Sequence, residues 1–274
     1  MNKKFLKYLF VFALLSTLFL TACSSGNAAA VNPSNTQVYL TLSGSGTVTG
    51  ILQAVADDFE ADTPGYHLEV LEGSGTGGGV TGVLEGSLDV VGMARPPKST
   101  EPVEYVTFGN VGMTIVIHPE VGITNLTTRQ AIDILTGQIT NWSEIGGPNL
   151  TLILFIRDED DSTTKAFREY FFKDAIFAET APVLTSQGEM LSAIEGTPGG
   201  VGMATWPTAL ASGAEVVGAS LDGVPPGDPD FPMMGEIGIG YLSDRQEDVQ
   251  PLIEWLLSEN GMAALQEFEV ITSP

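Results

Sequence analysis

The groups in this sequence best suited to bind a small ligand lie in two short loops of glycine, serine and threonine, at 43–47 and 74–79. Each loop stands between a predicted strand and a predicted helix, so its backbone N–H groups and hydroxyls would lie at the positive end of a helix dipole. That arrangement suits an anion, although glycine and serine also form tight turns and helix caps. Because a third loop precedes the predicted helix at 163–172, we interpret the three loops as one shared anion site.

The third loop carries four consecutive carboxylates, at 158–161, between Arg157 and a Ser-Thr-Thr run. Its spacing partly matches a calcium-binding loop whose twelve positions run from Asp158 to Glu169. The sixth position is Thr163 instead of the glycine that the sharp turn requires, and a strand precedes the loop, so calcium is disfavoured. A solvated helix N-terminus, where carboxylates interact well with the helix dipole, remains an alternative.

Sequence signatures of enzymes are absent. No serine lies in a G-x-S-x-G motif, and no G-x-x-x-x-G-K-[ST] phosphate loop occurs. The glycines at 44 and 46 would need a third at 49 for a dinucleotide fingerprint, and the third is Gly50. His67 and His118 are far apart in sequence and there is no second cysteine, so a zinc site is not expected. The sequence therefore predicts a binding protein without enzymatic activity, cofactor or metal.

The charge of the chain limits its partners. Its 274 residues include 11 basic and 34 acidic side chains, for a formal net charge of −23. Without Lys3, Lys4 and Lys7, which belong to a predicted signal peptide, 8 basic residues remain and the net charge is −26. Such a field repels nucleic-acid backbones and anionic membrane surfaces, and no basic patch offsets it. The sequence therefore excludes nucleic acid as a partner.

The N-terminus has the features of an export signal. Three lysines precede an apolar run at 8–20, which is too short to span a membrane comfortably. The run ends in "LTAC", which resembles a bacterial lipobox and includes Cys23, the only cysteine. We predict a signal peptide at 1–22, a lipidated Cys23 that anchors the protein outside the cytoplasm at the bacterial cell membrane, and a flexible tether at 23–37. The alternative is an uncleaved anchor with an incidental cysteine.

Hydrophobic patterning of the remaining chain indicates an α/β protein with a mostly parallel sheet, arranged in two lobes. Strands are predicted at 38–42, 67–71, 88–93, 111–119, 152–156, 199–206 and 236–242. Helices are predicted at 48–62, from about Val80, at 127–137 closed by Gly137, at 164–172, and at 246–268 with a break at Gly261.

A family resemblance is carried by residues 126–148, "LTTRQAIDILTGQITNWSEIGGP". This run is similar to a stretch of phosphate-importer solute-binding proteins that reads Leu-Thr, a helix, Ile-(Phe/Leu)-x-Gly, and then Ile-Thr-Asn-Trp-Ser-Glu-Ile-Gly-Gly. The two glycine-rich loops, "LDVVGMARP", the strand before Arg157 and "GGVGMATW" lie around it in the family's order. The resemblance covers roughly residues 38–245.

The resemblance implies an α/β, two-lobe periplasmic-binding-protein fold, type II-like, with a hinge and an interlobe ligand cleft. Lobe 1 would comprise 38–117 plus 229–274, and lobe 2 would comprise 118–228. The implied function is that of an extracytoplasmic solute-binding lipoprotein of an ABC importer. It would bind phosphate or a related small oxyanion as a monomer and deliver it to an ABC permease.

The resemblance also implies a set of ligand-binding residues. They are Ser45, Gly46, Thr47, Ser74, Gly75, Thr76, Arg95, Arg157, Asp161, Ser162 and Thr163. By this correspondence Arg157 would bind an oxyanion bidentately, and the hydroxyls and N–H groups of Ser162 and Thr163 would complete the site.

Three departures from the family pattern concern the ligand. Asp160 and Asp161 replace a glycine and a serine of the third loop, and Ala94 replaces a serine. Two carboxylates near a dianion would cost about 4 kcal/mol each at about 4 Å with an effective dielectric of about 20. Either they point to solvent with Arg157 paired to one of them, or the pocket favours a ligand with a donor or positive group. The alternative functions are binding of a phosphorylated or amine-bearing metabolite, and a surface sensor or adhesion lipoprotein without a transport role.

Overall fold

The structure is a computed structural model that describes residues 37–159, 161–172 and 176–272. Its strands are β1 (Val38–Gly44), β2 (Tyr66–Val70), β3 (Val90–Met93), β4 (Glu104–Ile117), β5 (Asn125–Leu126), β6 (Ile153–Leu154), β7 (Ile156–Arg157), β8 (Val183–Leu184), β9 (Gly200–Thr205), β10 (Val217–Gly218), β11 (Ser220–Leu221) and β12 (Met234–Tyr241). Its α-helices are α1 (Gly46–Asp62), α2 (Gly75–Leu84), α3 (Thr128–Leu135), α4 (Ser162–Phe167), α5 (Gln187–Glu195), α6 (Trp206–Ser212), α7 (Gln246–Leu256) and α8 (Glu259–Gln266). A π-helical turn, Arg168–Phe172, extends α4. Short 3₁₀ helices lie at Pro119–Val121, Trp142–Ile145 and Ser243–Arg245.

Eight of these strands form one mixed sheet in the order β2-β1-β3-β12-β4-β9-β6, with β10 beside β4. β1 pairs in parallel with β2 and β3, and β6 with β9. β12 is antiparallel to β3 and β4, and β4 is antiparallel to β9 and β10. The expected mostly parallel sheet is therefore wrong at the centre, because two long strands run against their neighbours there. The α/β class itself is confirmed.

Two large hydrophobic clusters lie along this sheet. The first packs α1 and α7 against β1 and β12, and the second surrounds the buried Trp142. β4 reaches both, since Phe108 belongs to the first cluster and Ile117 to the second. The chain around β12 does the same, with Ile237 in the first and Met233 in the second. The predicted lobe boundaries stay a prediction.

Helix α1 forms where helical periodicity predicts it. Ile51, Leu52, Val55 and Phe59 lie on its buried face and are at most 1% exposed. Burying such side chains stabilises the fold by roughly 1.5–3 kcal/mol each. The helix ends just before Pro64, which cannot continue a helix and restricts the residue before it.

Helix α2 begins at Gly75, five residues before the predicted start at Val80. The prediction is wrong because the glycines at 77–79 have low helix propensity, whereas tertiary packing requires the last of them. A side-chain carbon on Gly79 would lie 2.7 Å from Gly44 Cα, so glycine allows α2 to pack against the end of β1.

Two other element boundaries differ from expectation. β4 begins at Glu104, seven residues before the predicted start, and pairs with β12 along this added length. The predicted break at Gly261 is wrong, because this glycine lies inside α8. The helices separate at Ser258, whose hydroxyl caps α8 by accepting from Gly261 N at 3.1 Å.

The stretch at 126–148 that carries the family resemblance is built from helix caps. Thr127 and Gln130 form a capping box at α3, and Asn141 and Glu144 form another at the following 3₁₀ helix. Trp142 is fully buried and its Nε1 donates to Gly199 O at 3.0 Å. This stretch therefore contributes to the fold.

The predicted signal peptide at 1–22, Cys23, nearly all of the tether and Asp160 lie outside the described residues. Among the helices of the described ranges, none is both long enough and apolar enough to cross a membrane.

Candidate functional site

The turn from β1 into α1 depends on glycine. Gly44 has φ +139°, and a side-chain carbon there would lie 2.3 Å from Gly92 O. The next residue, Ser45, donates its N–H to the same carbonyl at 2.8 Å. Only glycine fits this turn, which fixes the start of α1 against the end of β3.

The N-terminus of α1 has no side-chain cap. Ser45 occupies the capping position, but its side chain makes no capping hydrogen bond. The residue is 3% exposed, and its hydroxyl has no hydrogen-bond partner within the described ranges. The first amides of the helix, from Gly46 to Val48, have no intrahelical acceptor by geometry. This helix end therefore offers donors to an external acceptor.

The second glycine-rich loop lies beside the first. A side-chain carbon on Gly73 would lie 2.9 Å from Gly46 Cα, so the two loops touch through their backbones. Ser74 Oγ lies 3.0 Å from Ser43 Oγ, and Thr76 Oγ1 accepts from Ala94 N at 3.4 Å. The structure thus places both predicted loops next to each other at one end of the sheet.

A buried hydroxyl network joins α1 to the end of β9. Thr205 Oγ1 lies 3.3 Å from Thr47 Oγ1 and 2.9 Å from Thr208 Oγ1. It also accepts from Gln187 Nε2 at 3.0 Å, and Thr208 donates to Thr47 O at 3.3 Å. These contacts fix the Thr47 hydroxyl relative to β9.

A cavity of about 60 Å³ lies at this network. Its polar lining includes Thr47, Thr205, Ser162 and Glu236, and the rest is apolar or backbone, including Ala94 and Ala166. At roughly 10–15 Å³ per water molecule, it holds about four to six waters, which is comparable to a small oxyanion. The starts of α1 and α4 both contribute to it, through Thr47 and Ser162.

Glu236 brings a carboxylate to the cavity. The hydroxyl of Tyr105 donates to Glu236 Oε1 at 2.8 Å. Burial and the interaction with this carboxylate raise the pKa of Tyr105 above its ordinary value, so the phenol keeps its proton at neutral pH. A ligand group that lies beside the Glu236 carboxylate must therefore donate a hydrogen bond to it, or its burial there is unfavourable.

Arg95 is paired with a carboxylate of its own loop. Its Nη1 and Nη2 each donate to one carboxylate oxygen of Glu101 at 2.7 Å. The Arg95 guanidinium lowers the pKa of Glu101 to about 2, and the N–H of Lys98 adds to the shift. The neighbouring residue Ala94 lines the cavity, whereas Arg95 does not.

Arg157 is paired with Asp161, one of the two departures in the third loop. Arg157 Nη2 lies 3.0 Å from Asp161 Oδ2, and both side chains are 12% exposed. Asp161 Oδ1 accepts from the amides of Thr163 and Thr164, each at 3.0 Å, and so caps α4. The expectation that Arg157 pairs with one of the aspartates agrees with this geometry, although Asp161 does not point to solvent.

The structure brings some of the predicted ligand residues together and leaves others apart. Thr47 and Ser162 line the cavity. The other predicted residues do not line it; they are Ser45, Gly46, Ser74, Gly75, Thr76, Arg95, Arg157, Asp161 and Thr163. Their assignment as ligand-binding residues stays a prediction.

Sequence reasoning missed two polar residues of the cavity, Thr205 and Glu236. Thr205 ends a strand that was predicted at 199–206, and a hydroxyl at the carboxyl end of a strand was an available signal. Glu236 begins a predicted strand, and no pattern in the sequence indicates that it lines the same cavity as Thr47 and Ser162. Within the described ranges, no cluster of three or more His, Cys, Asp or Glu side chains is suited to hold a metal ion.

Comparison with known proteins places this arrangement in a family. A family model for a PBP superfamily domain matches residues 30–260. The chain belongs to the PBP superfamily. This PBP superfamily member is 26% identical over 229 residues to the phosphate-binding protein PstS of Bacillus subtilis, covering 78% of this chain and 74% of that one.

Solved structures show the same fold. A protein of Clostridium perfringens, described as a phosphate ABC transporter substrate-binding protein and solved with bound phosphate, matches with a TM-score of 0.74 and 23% identity. The match covers 86% of this chain and all of that one. An ABC-type phosphate transport receptor of Vibrio cholerae matches with a TM-score of 0.61 and 24% identity, covering 85% of this chain and all of that one. The two-lobe fold class and the resemblance expected from the sequence are confirmed.

Proposed function

We propose that this PBP superfamily member is an extracytoplasmic solute-binding lipoprotein of an ABC importer that binds phosphate or a related small oxyanion. The observation that carries the proposal is the uncapped N-terminus of α1 beside a cavity of oxyanion size. Proteins similar to this chain that bind phosphate, in B. subtilis and C. perfringens, support it.

The physical attraction for an anion comes from α1. A helix of 17 residues places a partial positive charge at its N-terminus, and no side chain of the described ranges neutralises it. Ser45 has a buried hydroxyl without a partner, and buried polar groups are nearly always hydrogen-bonded in the functional state. A ligand oxygen at this position would accept from the hydroxyl and from the first helix amides.

The side-chain donors that line the cavity are neutral. The two arginines predicted for the site are paired with Glu101 and Asp161, and the cavity lining contains no cation. The hydroxyls of Thr47 and Ser162 remain as side-chain donors at the cavity, whereas the Thr205 hydroxyl donates within the protein, to Thr208 Oγ1 at 2.9 Å. Such a site favours a ligand that carries a proton toward Glu236, as phosphate does at neutral pH and sulfate does not.

Capture would use a hinge motion of the two lobes, with β4 and the chain before β12 as the crossings. The two hydrophobic clusters that these strands connect are consistent with such a hinge. We further propose that Cys23 is lipidated after removal of residues 1–22, that the monomer is tethered at the membrane, and that an ABC permease receives the ligand. The lipobox-like "LTAC" and the short apolar run support the anchoring.

A second candidate ligand is a phosphorylated or amine-bearing metabolite. Glu236 favours it, because a carboxylate in the cavity would pair with an ammonium or hydroxyl group of the ligand. The limited volume of about 60 Å³ favours the smaller oxyanion over this alternative.

Isothermal titration of the purified protein with phosphate, arsenate, sulfate and phosphate esters tests the proposal. We expect phosphate to bind with an affinity at least about tenfold above sulfate, a difference of about 1.4 kcal/mol. Absence of binding for both phosphate and arsenate would contradict the proposal. Release of phosphate from a chromogenic ester would indicate an enzyme instead.

A further inference from the structure

The starts of the two helices that meet at the cavity are in different states. At α1, Ser45 makes no capping hydrogen bond and its buried hydroxyl has no partner within the described ranges. At α4, the amides of Thr163 and Thr164 both donate to Asp161 Oδ1 at 3.0 Å. The chain thus supplies its own anion at one helix and none at the other.

The carboxylate of Asp161 uses the groups that a bound oxyanion would use. Besides the two amides, it contacts a guanidinium, since Asp161 Oδ2 lies 3.0 Å from Arg157 Nη2. Both side chains of this pair are 12% exposed, so solvent screens the interaction only weakly. Two backbone N–H groups and one guanidinium form a common oxyanion-binding set.

Donors remain unpaired around this carboxylate. Arg157 Nε and Thr164 Oγ1 are buried and have no hydrogen-bond partner among the described residues. Buried polar groups usually have partners, so these two atoms point to an acceptor that Asp161 does not provide. The residue after Asp161, Ser162, lines the cavity, so a ligand there would be adjacent to this group of donors.

We propose that Asp161 is a tethered carboxylate that competes with the bound oxyanion for Arg157 and the amides of Thr163 and Thr164, and so sets the affinity of the site. The inference rests on the proposed function. As the ligand enters, the carboxylate rotates away and one ligand oxygen takes its hydrogen bonds. In the family pattern a neutral serine stands at this position, and a serine would not compete with an anion in this way.

A role as an ordinary helix cap gives a different expectation. Asparagine caps helices about as well as aspartate does, because its side-chain oxygen accepts from the same amides. Asp161→Asn therefore keeps the cap and removes only the charge. If Asp161 were a cap and nothing more, this variant would bind a ligand as the wild type does.

The matched control is Asp133→Asn. Arg129 Nε and Asp133 Oδ2 form another i,i+4 arginine–aspartate pair, at 2.8 Å on α3. This pair does not line the cavity, and the substitution changes the net charge of the protein by the same amount. It therefore separates a local effect at Asp161 from the effect of overall charge.

The test is isothermal titration of wild type, D161N and D133N with inorganic phosphate at low and moderate salt, with thermal unfolding as a check of folding. We expect D161N to bind phosphate about tenfold more tightly or better, with a smaller gain at higher salt, and D133N to stay within about twofold of wild type. If D161N folds and binds phosphate with unchanged or weaker affinity, the inference is overturned. The proposed function still stands in that case, provided that the wild type binds phosphate. Absence of phosphate binding in all three proteins overturns both.

Discussion

The hydroxyls of Thr47 and Thr205 lie 3.3 Å apart, although 158 positions separate the two residues in sequence. Thr47 stands in the first turn of α1 and Thr205 at the end of β9, and both line the cavity. The contact joins the uncapped helix to a strand of the second hydrophobic cluster. It holds these two polar residues of the proposed ligand site in a fixed position relative to each other.

Replacing Thr47 with valine tests whether its hydroxyl contacts the ligand. Valine has nearly the same shape but no hydrogen-bonding group, so the Thr205 contact and any ligand hydrogen bond are lost. We expect phosphate affinity to fall by about tenfold, which corresponds to about 1.4 kcal/mol. Titration calorimetry of the variant and the wild type measures this difference in phosphate affinity.

Thr81→Val is the matched control for this substitution. The exposed Thr81 hydroxyl donates within α2, to Gly77 O at 3.2 Å. We expect this variant to bind phosphate as the wild type does. Equal affinities for both valine variants would show that Thr47 does not take part in the site.

Exchanging Glu236 for glutamine should reduce selectivity between phosphate and sulfate. The carboxylate can accept a hydrogen bond from protonated phosphate, whereas it repels sulfate, which has no proton to offer at neutral pH. The neutral amide can still accept from phosphate, but it no longer repels sulfate and its NH2 group can donate to either anion. We therefore expect the ratio of the two affinities to fall by about tenfold or more. Competition titrations with both anions measure this ratio.

The exposed Glu104 on β4 provides a control for that experiment. Glu104→Gln changes the net charge equally without altering the cavity lining. Selectivity that responds to both substitutions alike would argue against a specific role for Glu236.

The Arg95–Glu101 pair should give stability a dependence on acid pH. Since the pair lowers the pKa of Glu101 from 4.5 to about 2, its contribution is complete above about pH 4.5. As the pH falls from 4.5 to about 2, the unfolded state takes up the proton first and the contribution is lost. Urea unfolding across this range should show the decline, and Glu101→Gln should make it shallower.

At neutral pH we expect Glu101→Gln to lower the free energy of unfolding by about 1–3 kcal/mol, because two charge-assisted hydrogen bonds are weakened. An unchanged pH profile in this variant would mean that other carboxylates cause the acid sensitivity.

Substituting Gly44 tests the turn that positions the uncapped helix. Alanine there meets both a positive φ of 139° and the carbonyl of Gly92 at 2.3 Å. We expect Gly44→Ala to lower the free energy of unfolding by about 3 kcal/mol or more. Gly65→Ala also has a positive φ, of 99°, but open space around it, and should cost only about 1 kcal/mol. Similar losses for both would show that steric contact with Gly92 is unimportant.

Much of the local structure follows from the sequence alone. The helical spacing of Ile51, Leu52, Val55 and Phe59 indicates α1, because side chains at that spacing share one face of a helix. The glycine-rich loops are recognisable as connections into helices, because each one stands directly between a predicted strand and a predicted helix. The stretch at 126–148 reveals the family through capping boxes, whose partners are only three residues apart.

The composition of the candidate site depends on contacts that are distant in sequence. Glu236 and Thr205 join Thr47 only because β12 and β9 flank β4 in the sheet, and no periodicity within one segment indicates this order. Likewise, the glycines of α2 disfavour a helix locally, and packing against β1 overrides that preference.

The sequence by itself determined the fold class, helices such as α1 and α3, and the presence of arginines and carboxylates near helix starts. Only the tertiary structure decided which of these charges are already neutralised. Arg95 is paired with Glu101 and Arg157 with Asp161, whereas the start of α1 is left open. The physical reason is that charge is a property of a residue type, while its partner is set by side-chain geometry and burial in the folded chain.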